Sequence, residues 1–494
     1  MIRAALALCF AAFVPVVAQS TTTDPLAPIS DAEWGSTAAR HLLARAGFGG
    51  TPSDVERLVA MGAPGAVDWL VDYRAQPPCE VAIEIAAPEA PTAQQRRLSE
   101  QERRALGQQR RRADQRQMAD LRRWWLERMV ATGRPLEEKL TLFWHGHFAS
   151  GQRTVRSSFA LHRQNELLRE HAVDYGALLR GIVRDAAMLR YLDNDSNRKG
   201  HPNENLAREL LELFSMGEGC GYTEDDIREA ARALTGYTFD RRTAAFQFVA
   251  RAHDNGDKTI FGETAAFDGD DVPELILRRQ ETARFIAEKL LRFFVYDDPP
   301  AAIVDAVASR LRENNYRLAP VLRALFLSRE FHGERARGSL VKSPVQLLVA
   351  TIRALGLHVA DYAPIASAAA AMGQDLFEPP DVRGWIGGPT WIDPGRILTR
   401  QNSIAALLRG PTLARSAAAQ ALAADPIGSP ERLVDHVLDT LLVRPVDEST
   451  RDRLRAVLVS SGPRNPRSAG KRDAAARLRA LLVLVTTLPE FQLT

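Results

Sequence analysis

Asn203-Glu204-Asn205-Leu206-Ala207-Arg208-Glu209-Leu210-Leu211-Glu212-Leu213-Phe214 is the stretch that decides the fold class. Glu204, Arg208 and Glu212 recur every four residues and share one helical face, while Leu206, Leu210, Leu213 and Phe214 cover the others. Ahead of this amphipathic helix runs Asp193-Asn194-Asp195-Ser196-Asn197-Arg198-Lys199-Gly200-His201-Pro202. It packs amides, carboxyls and an imidazole where a connector needs only Gly, Ser or Pro. So polar a loop is organised around something, but it names no reaction.

Helical signals continue on both sides. Ser36 precedes an apolar-periodic run through Leu42 and Leu43 that stops at Gly47 and Gly49-Gly50. Thr51-Pro52-Ser53-Asp54 opens a second helix with a capping residue and a first-turn proline. Residues 78–91 read as a low-order linker. Over 93–132 an Arg-rich helix carries Arg110-Arg111-Arg112 and ends in Trp124-Trp125-Leu126, which docks on the body. It is either a basic surface for an acidic polymer or a solvated helix laced with acidic partners, and its mixed charge favours the second. Further helices are predicted over 135–144, 159–170, 175–183 and 203–216, and Thr223-Glu224-Asp225-Asp226 has a capping-box pattern. Alternation of Phe246 and Phe248 with polar neighbours predicts a small β-hairpin within 238–252.

The C-terminal part reads as a degenerate duplication. Arg284-Phe285-Ile286-Ala287 leads through Pro299-Pro300 to Leu322-Arg323-Ala324-Leu325-Phe326 and Glu330-Phe331. Arg432-Leu433-Val434-Asp435 leads through Pro445 to Leu478-Arg479-Ala480-Leu481-Leu482 and Glu490-Phe491. The predicted fold is therefore mainly α, a multi-helix body with a small β-hairpin insertion and this C-terminal duplication. Its expected divisions are a signal peptide at 1–18, a flexible linker at 19–35, and helical domains at 36–270 and 271–494.

The signal peptide is read from Met1-Ile2-Arg3, the apolar run from Ala4 to Val17, and small residues around Ala18. The run is shorter than the ~20 residues of a membrane-spanning helix, and Cys9 lies inside it rather than at the cut. An extracytoplasmic chain, periplasmic or secreted and without a transmembrane segment after cleavage, is expected. With 494 residues it buries a sizeable core. Its 64 Lys and Arg against 61 Asp and Glu give a net charge of +3, so no global field favours nucleic acid. Cys79 and Cys220 either pair in that compartment or remain free thiols.

Four stretches can carry chemistry. In Phe143-Trp144-His145-Gly146-His147-Phe148 the two imidazoles share a side in extended backbone but lie roughly 200° apart on a helix. Joint metal binding by His145 and His147 therefore requires the helix to end near His145, a place Gly146 makes suitable. In the polar loop, Asn203 and Glu204 sit at the helix start, with Glu204 a candidate ligand or general base, or else a partner for first-turn N–H groups. Asp193, Asp195, Asn197 and Glu204 also match positions one, three, five and twelve of an EF-hand-like calcium loop, although Arg198 stands where its glycine belongs. His253-Asp254-Asn255-Gly256-Asp257-Lys258 offers a ligand, a base and an anion partner, or simply a charged turn. Pro379-Pro380-Asp381-Val382-Arg383-Gly384-Trp385 with Trp391 offers a stacking platform for sugar rings, or rings that pin a loop. No nucleophile elbow, phosphate loop, dinucleotide fingerprint or Cys-pair metal motif is present.

Taken together with Arg45-Ala46-Gly47-Phe48-Gly49, Gly221-Tyr222-Thr223 and Ala233-Leu234-Thr235-Gly236-Tyr237, these motifs resemble the bacterial family catalogued as domain of unknown function 1800. Tyr237, where the family often has tryptophan, and Phe214-Ser215-Met216 depart from its pattern. The resemblance implies a secreted or periplasmic helical protein. Members of the family are often encoded beside a second family, domain of unknown function 1501, which is similar to phosphatase and sulfatase folds. It marks His145, His147, Asn203, Glu204, Arg208, Glu209, His253, Asp254, Asp381 and Trp385 as motif positions without supplying a reaction.

Two functions are expected from this. One is a metal-dependent hydrolase of a polysaccharide or other envelope polymer. His145, His147, His253 and Asp254 would hold one divalent ion (Zn, Mn or Fe in preference to Ca), Glu204 would take a proton from its water, and Arg208 would orient Glu204 or substrate. Asn203, Asp381, Arg383 and Trp385 would contact substrate. The other is a non-catalytic helical scaffold or export and assembly partner of the co-encoded phosphatase/sulfatase-like protein, its polar motifs being internal networks.

Overall fold

Proline in the first turn starts helix Pro135–His147, and every residue of that helix except Gly146 is buried. Leu136, Leu140, Phe143 and Trp144 enter one hydrophobic core, and Leu142 enters a second. The computed structural model describes residues 24–88, 92, 98–409, 413, 429–460 and 471–494, so the expected signal peptide lies outside it. Among these residues, 22 helices and two antiparallel hairpins make a mainly α fold. No helix among them is long and apolar enough to cross a membrane.

The first core joins helices Ser36–Ala46 and Pro52–Val71 to Gln280–Phe294, Ala301–Glu313 and Leu318–Leu327. The second joins the apolar end of the long helix Glu100–Ala131 to Pro344–Leu355, Pro430–Leu441 and Lys471–Val485. Both cores thus cross the boundary expected at residue 270. Residues 24–35 are not a loose tether either. Ile29 donates its N–H to the Leu327 carbonyl (2.9 Å), Arg329 donates to Ala27 (2.8 Å), and Leu26 is buried.

Local chemistry explains the element ends. Thr51 with Asp54, Ser99 with Glu102, and Thr223 with Asp226 each form a reciprocal capping box. The expected hairpin pairs Tyr237–Phe239 with Phe246–Phe248. A second hairpin, Lys258–Ile260 with Glu263–Ala265, occupies part of what reads in sequence as a charged turn. Phe261 (φ 50°) and Gly262 (φ 80°) close it, the left-handed pair that a two-residue hairpin loop requires. Cys79, half-buried, and Cys220, exposed, are free thiols.

The element order of the C-terminal duplication is present. Gln280–Phe294, Ala301–Glu313, Leu318–Leu327 and Arg329–His332 are echoed by Pro430–Leu441, Glu448–Ser460, Lys471–Val485 and Pro489–Gln492. Each short last helix is fastened through the carbonyl of its buried phenylalanine. His41 Nε2 lies 2.9 Å from the Phe331 oxygen, and Lys342 Nζ donates to the Phe491 oxygen at 2.8 Å.

Burial of helix Pro135–His147 forces its acids into pairs. Glu138 is fully buried and accepts from Trp125 Nε1 (2.9 Å), Arg169 Nε (2.8 Å) and Arg128. Burial raises its carboxyl pKa, but Arg169 and then Arg128 outweigh that and hold it below the usual range. A carboxylate with a depressed folded pKa stabilises fully above its unfolded pKa and loses that contribution as pH falls through the folded one. Glu138→Gln should therefore lower urea-measured stability at pH 7 by about 3 kcal/mol, because two guanidinium groups lose their partner. The gap to wild type should shrink below about pH 4. A loss under about 1 kcal/mol at pH 7 would show that the cluster does not brace the helix.

Candidate functional site

The helix continues through His147, with Phe148 as its cap, so the condition for joint chelation by His145 and His147 is not met. The two rings enter different surroundings. His145 touches the rings of Trp125 (5.0 Å), Phe377 (4.9 Å) and Trp385 (5.6 Å). His147 lies against Phe143, Trp144, Phe148, Tyr175, Phe214 and Phe285. Burial lowers both imidazole pKa values to about 3, so both rings are neutral at pH 7.

Neutrality makes each ring's two nitrogens distinct. His145 Nε2 accepts the Phe377 backbone N–H at 3.0 Å, which assigns the ring proton to Nδ1 and leaves no lone pair for a metal. Its Nδ1, enclosed by the three rings, has no partner among the described residues. His147 Nε2 sits 2.9 Å from the Phe214 carbonyl, which also accepts from Tyr175 Oη at 2.8 Å. That oxygen can only accept, so His147 carries its proton on Nε2. His253 Nδ1 donates to the Thr235 carbonyl at 2.8 Å. The Asp254 carboxylate accepts from Arg232 Nε (2.9 Å) and Gly256 N (3.0 Å), and Arg232 foremost lowers its pKa to about 2.

Among the described residues no group of three or more His, Cys, Asp and Glu side chains is placed to hold a metal ion. The donor set expected for a divalent ion, His145, His147, His253 and Asp254, thus does not fit one. The calcium alignment fails for a different reason. Asp195 faces Arg190 (3.2 Å) and Arg241 (3.1 Å), while Glu204 faces Arg208 (3.1 Å).

The polar loop instead fastens its own neighbourhood. Asn197 Nδ2 donates to Asn194 Oδ1 and to the Ala231 carbonyl, while its Oδ1 accepts the Asn203 N–H at 2.9 Å. Asn194 Nδ2 donates to the Tyr237 carbonyl at 3.0 Å, joining the loop to the first hairpin. Asn203 Oδ1 accepts from Asn205 N, shaping the entry to helix Asn205–Glu212. Arg208 is shared among Glu204, Glu212 and Glu224, and the hydrogen bond it donates to Glu224, with smaller help from the others, raises its pKa. Buried Asn194 and Asn197, not the expected Glu204, are what organise the loop.

The segment 376–385 is where distant motifs do meet. Phe377 stands at φ 64°, a left-handed conformation rare for a bulky side chain, and is held from both sides. Its N–H goes to His145, and its carbonyl accepts from Gln152 N at 2.9 Å. Further along, Asp381 Oδ1 accepts the Arg383 N–H (2.8 Å), and Arg383 reaches toward Glu218 (3.7 Å). Gly384 (φ 76°) rests on the helix backbone so closely that a Cβ would overlap the Gly146 carbonyl oxygen. Trp385 covers His145, and its Nε1 is buried without a partner among the described residues. Tyr191 lies beside this segment. Burial foremost, then Asp381, Glu378 and Glu209, raise its hydroxyl pKa. Of the expected site residues, then, His145, Asp381, Arg383 and Trp385 form one knot. His147 faces away from it, and Asn203, Glu204 and Arg208 and the pair His253 and Asp254 belong to separate networks.

The family described as Protein of unknown function (DUF1800) matches residues 41–493. The chain belongs to this family. No curated protein and no solved structure matches the chain. In this DUF1800 chain the knot draws on motifs more than 200 residues apart, the His145 to Phe377 hydrogen bond spanning 232 positions. Sequence reading missed Phe377, Gln152 and Tyr191, since none of them carries a motif signature.

Gly384→Ala tests the knot directly. The added methyl meets backbone rather than a movable side chain, and positive φ penalises it further. Stability should fall by about 2 kcal/mol or more, with Trp385 becoming accessible to fluorescence quenchers. A stability change within about 0.5 kcal/mol would mean that the loop does not sit on Gly146.

Proposed function

We propose that the chain is a non-catalytic helical scaffold of the extracytoplasmic space and an assembly partner of a phosphatase/sulfatase-like protein of the domain of unknown function 1501 family. The observation that carries this reading is the use of the His145 lone pair by the Phe377 N–H. A catalytic metal site needs neutral imidazoles with free lone pairs converging on one point and a carboxylate turned toward bound water. Here the side chains of His145, His147, His253, Asp254, Glu204 and Arg208 serve the backbone or an ion pair instead. Glu204, the expected general base, has the Arg208 guanidinium against it. The leader-like start of the sequence supports an extracytoplasmic site, and the frequent encoding of family members beside the second family suggests the partner.

Elemental analysis of protein purified without chelator, beside a His145→Ala/His147→Ala variant, tests the reading. We expect far less than one Zn, Mn or Fe per chain in either. The variant should lose about 3–5 kcal/mol of stability, since buried backbone groups lose partners and two cavities open. One metal per chain that disappears from a still-folded variant would contradict the proposal. Co-expression with the neighbouring phosphatase/sulfatase-like protein tests the partner: the two should co-elute on size exclusion, and separate elution would remove that part.

A further inference from the structure

We infer that the cleft between the arginine-rich helix Glu100–Ala131 and the turn at residues 152–159 binds an acidic oligosaccharide. The cleft encloses about 810 Å³, within the roughly 300–1,000 Å³ typical of pockets that hold ligands of a few rings. It lies apart from the networks of His147, His253 and Arg208. The inference needs neither catalysis nor a protein partner, and so goes beyond the scaffold reading.

Charge gives the first part of the argument. Arg122 pairs with Asp375 (2.8 Å), Arg153 pairs with Glu378 (3.5 Å), and Asp114 accepts the Ser158 N–H (2.7 Å). The remaining positive charge includes Arg111 and Arg156, which line the cleft, are exposed, and form no ion pair among the described residues.

The uncharged lining gives the second part. Exposed Gln109 and Gln115 supply carboxamides that both donate and accept, which suits hydroxyl groups. The half-buried Phe159 ring supplies an apolar face for the C–H side of a sugar. Guanidinium groups suit carboxylates, which they bind in a fork. Nucleic acid is served poorly by this surface. Among the described residues only one aromatic ring lines the cleft, where single strands use successive stacking rings.

The motif knot builds one wall of the cleft. Arg122 Nε donates to the Leu376 carbonyl (2.9 Å) and Gln152 N donates to the Phe377 carbonyl (2.9 Å), so His145 holds the wall through Phe377. Arg156 is itself left-handed (φ 55°), and its N–H is tied to the Gln152 carbonyl at 2.8 Å.

Isothermal titration of the full chain with trigalacturonate and trimannuronate, with cellotriose and a short oligothymidylate as comparisons, tests the assignment. At least one triuronide should bind, about tenfold or more tighter than cellotriose, and binding should weaken as salt rises. Arg111→Gln/Arg156→Asn should cut that affinity at least about tenfold while the melting temperature holds, asparagine being tolerant of left-handed backbone. Arg104→Gln, on the same helix but outside the cleft, should change nothing. Failure of both triuronides to bind, unchanged affinity in the double variant, or equal or tighter binding of oligothymidylate would each overturn the inference.

Discussion

A helix buried on nearly every face must find partners inside the protein for most of its polar atoms, and helix Pro135–His147 carries Glu137, Glu138, Lys139, Thr141, His145 and His147 into the interior. An unsatisfied buried donor or acceptor costs roughly 1–3 kcal/mol, so Glu138, His145 and His147 each dictate where another segment must go. Glu138 fixes the long helix through Trp125 and Arg128, and helix Ser158–Glu170 through Arg169. His147 fixes Phe214 at the end of the polar-loop helix. His145 fixes Phe377, and through it the segment that carries Asp381, Gly384 and Trp385. Much of the molecule is arranged around the demands of this one element.

These demands account for motifs that look catalytic in sequence. Histidines are useful inside a helical body because one ring offers a donor and an acceptor, and burial keeps it neutral. His41 and His332 behave like His145 and His147. Each is buried with a pKa lowered by burial, and each has one nitrogen at 2.9 Å from a backbone carbonyl. A shared structural use on both sides of the chain explains clustered imidazoles without invoking a metal.

Much of the fold was legible because it rests on local chemistry. The capping pattern at Thr223 and Asp226, the proline at the start of the second helix, the Phe246 and Phe248 alternation and the Glu204, Arg208, Glu212 ladder depend on neighbours a few residues away. The repeated order of the C-terminal helices was legible for the same reason. The second hairpin was not, since Phe261-Gly262 is a weak turn signal among charged residues. The knot was less legible still. Nothing in Phe143-Trp144-His145-Gly146-His147-Phe148 says that Nε2 will meet an amide 232 positions away, or that the helix runs on through Gly146 and receives Gly384 on its backbone. Sequence located the polar clusters, while their partners belong to tertiary packing.

Hydrogen exchange at the Phe377 amide tests the central claim most directly. In the wild-type chain this amide should exchange as slowly as those of helix Pro135–His147. In His145→Phe, which keeps a ring but removes the acceptor, it should exchange about ten- to a hundredfold faster, with distant helices unchanged. Equal protection in both proteins would mean that His145 does not hold Phe377, leaving its lone pair free and the metal chemistry open again.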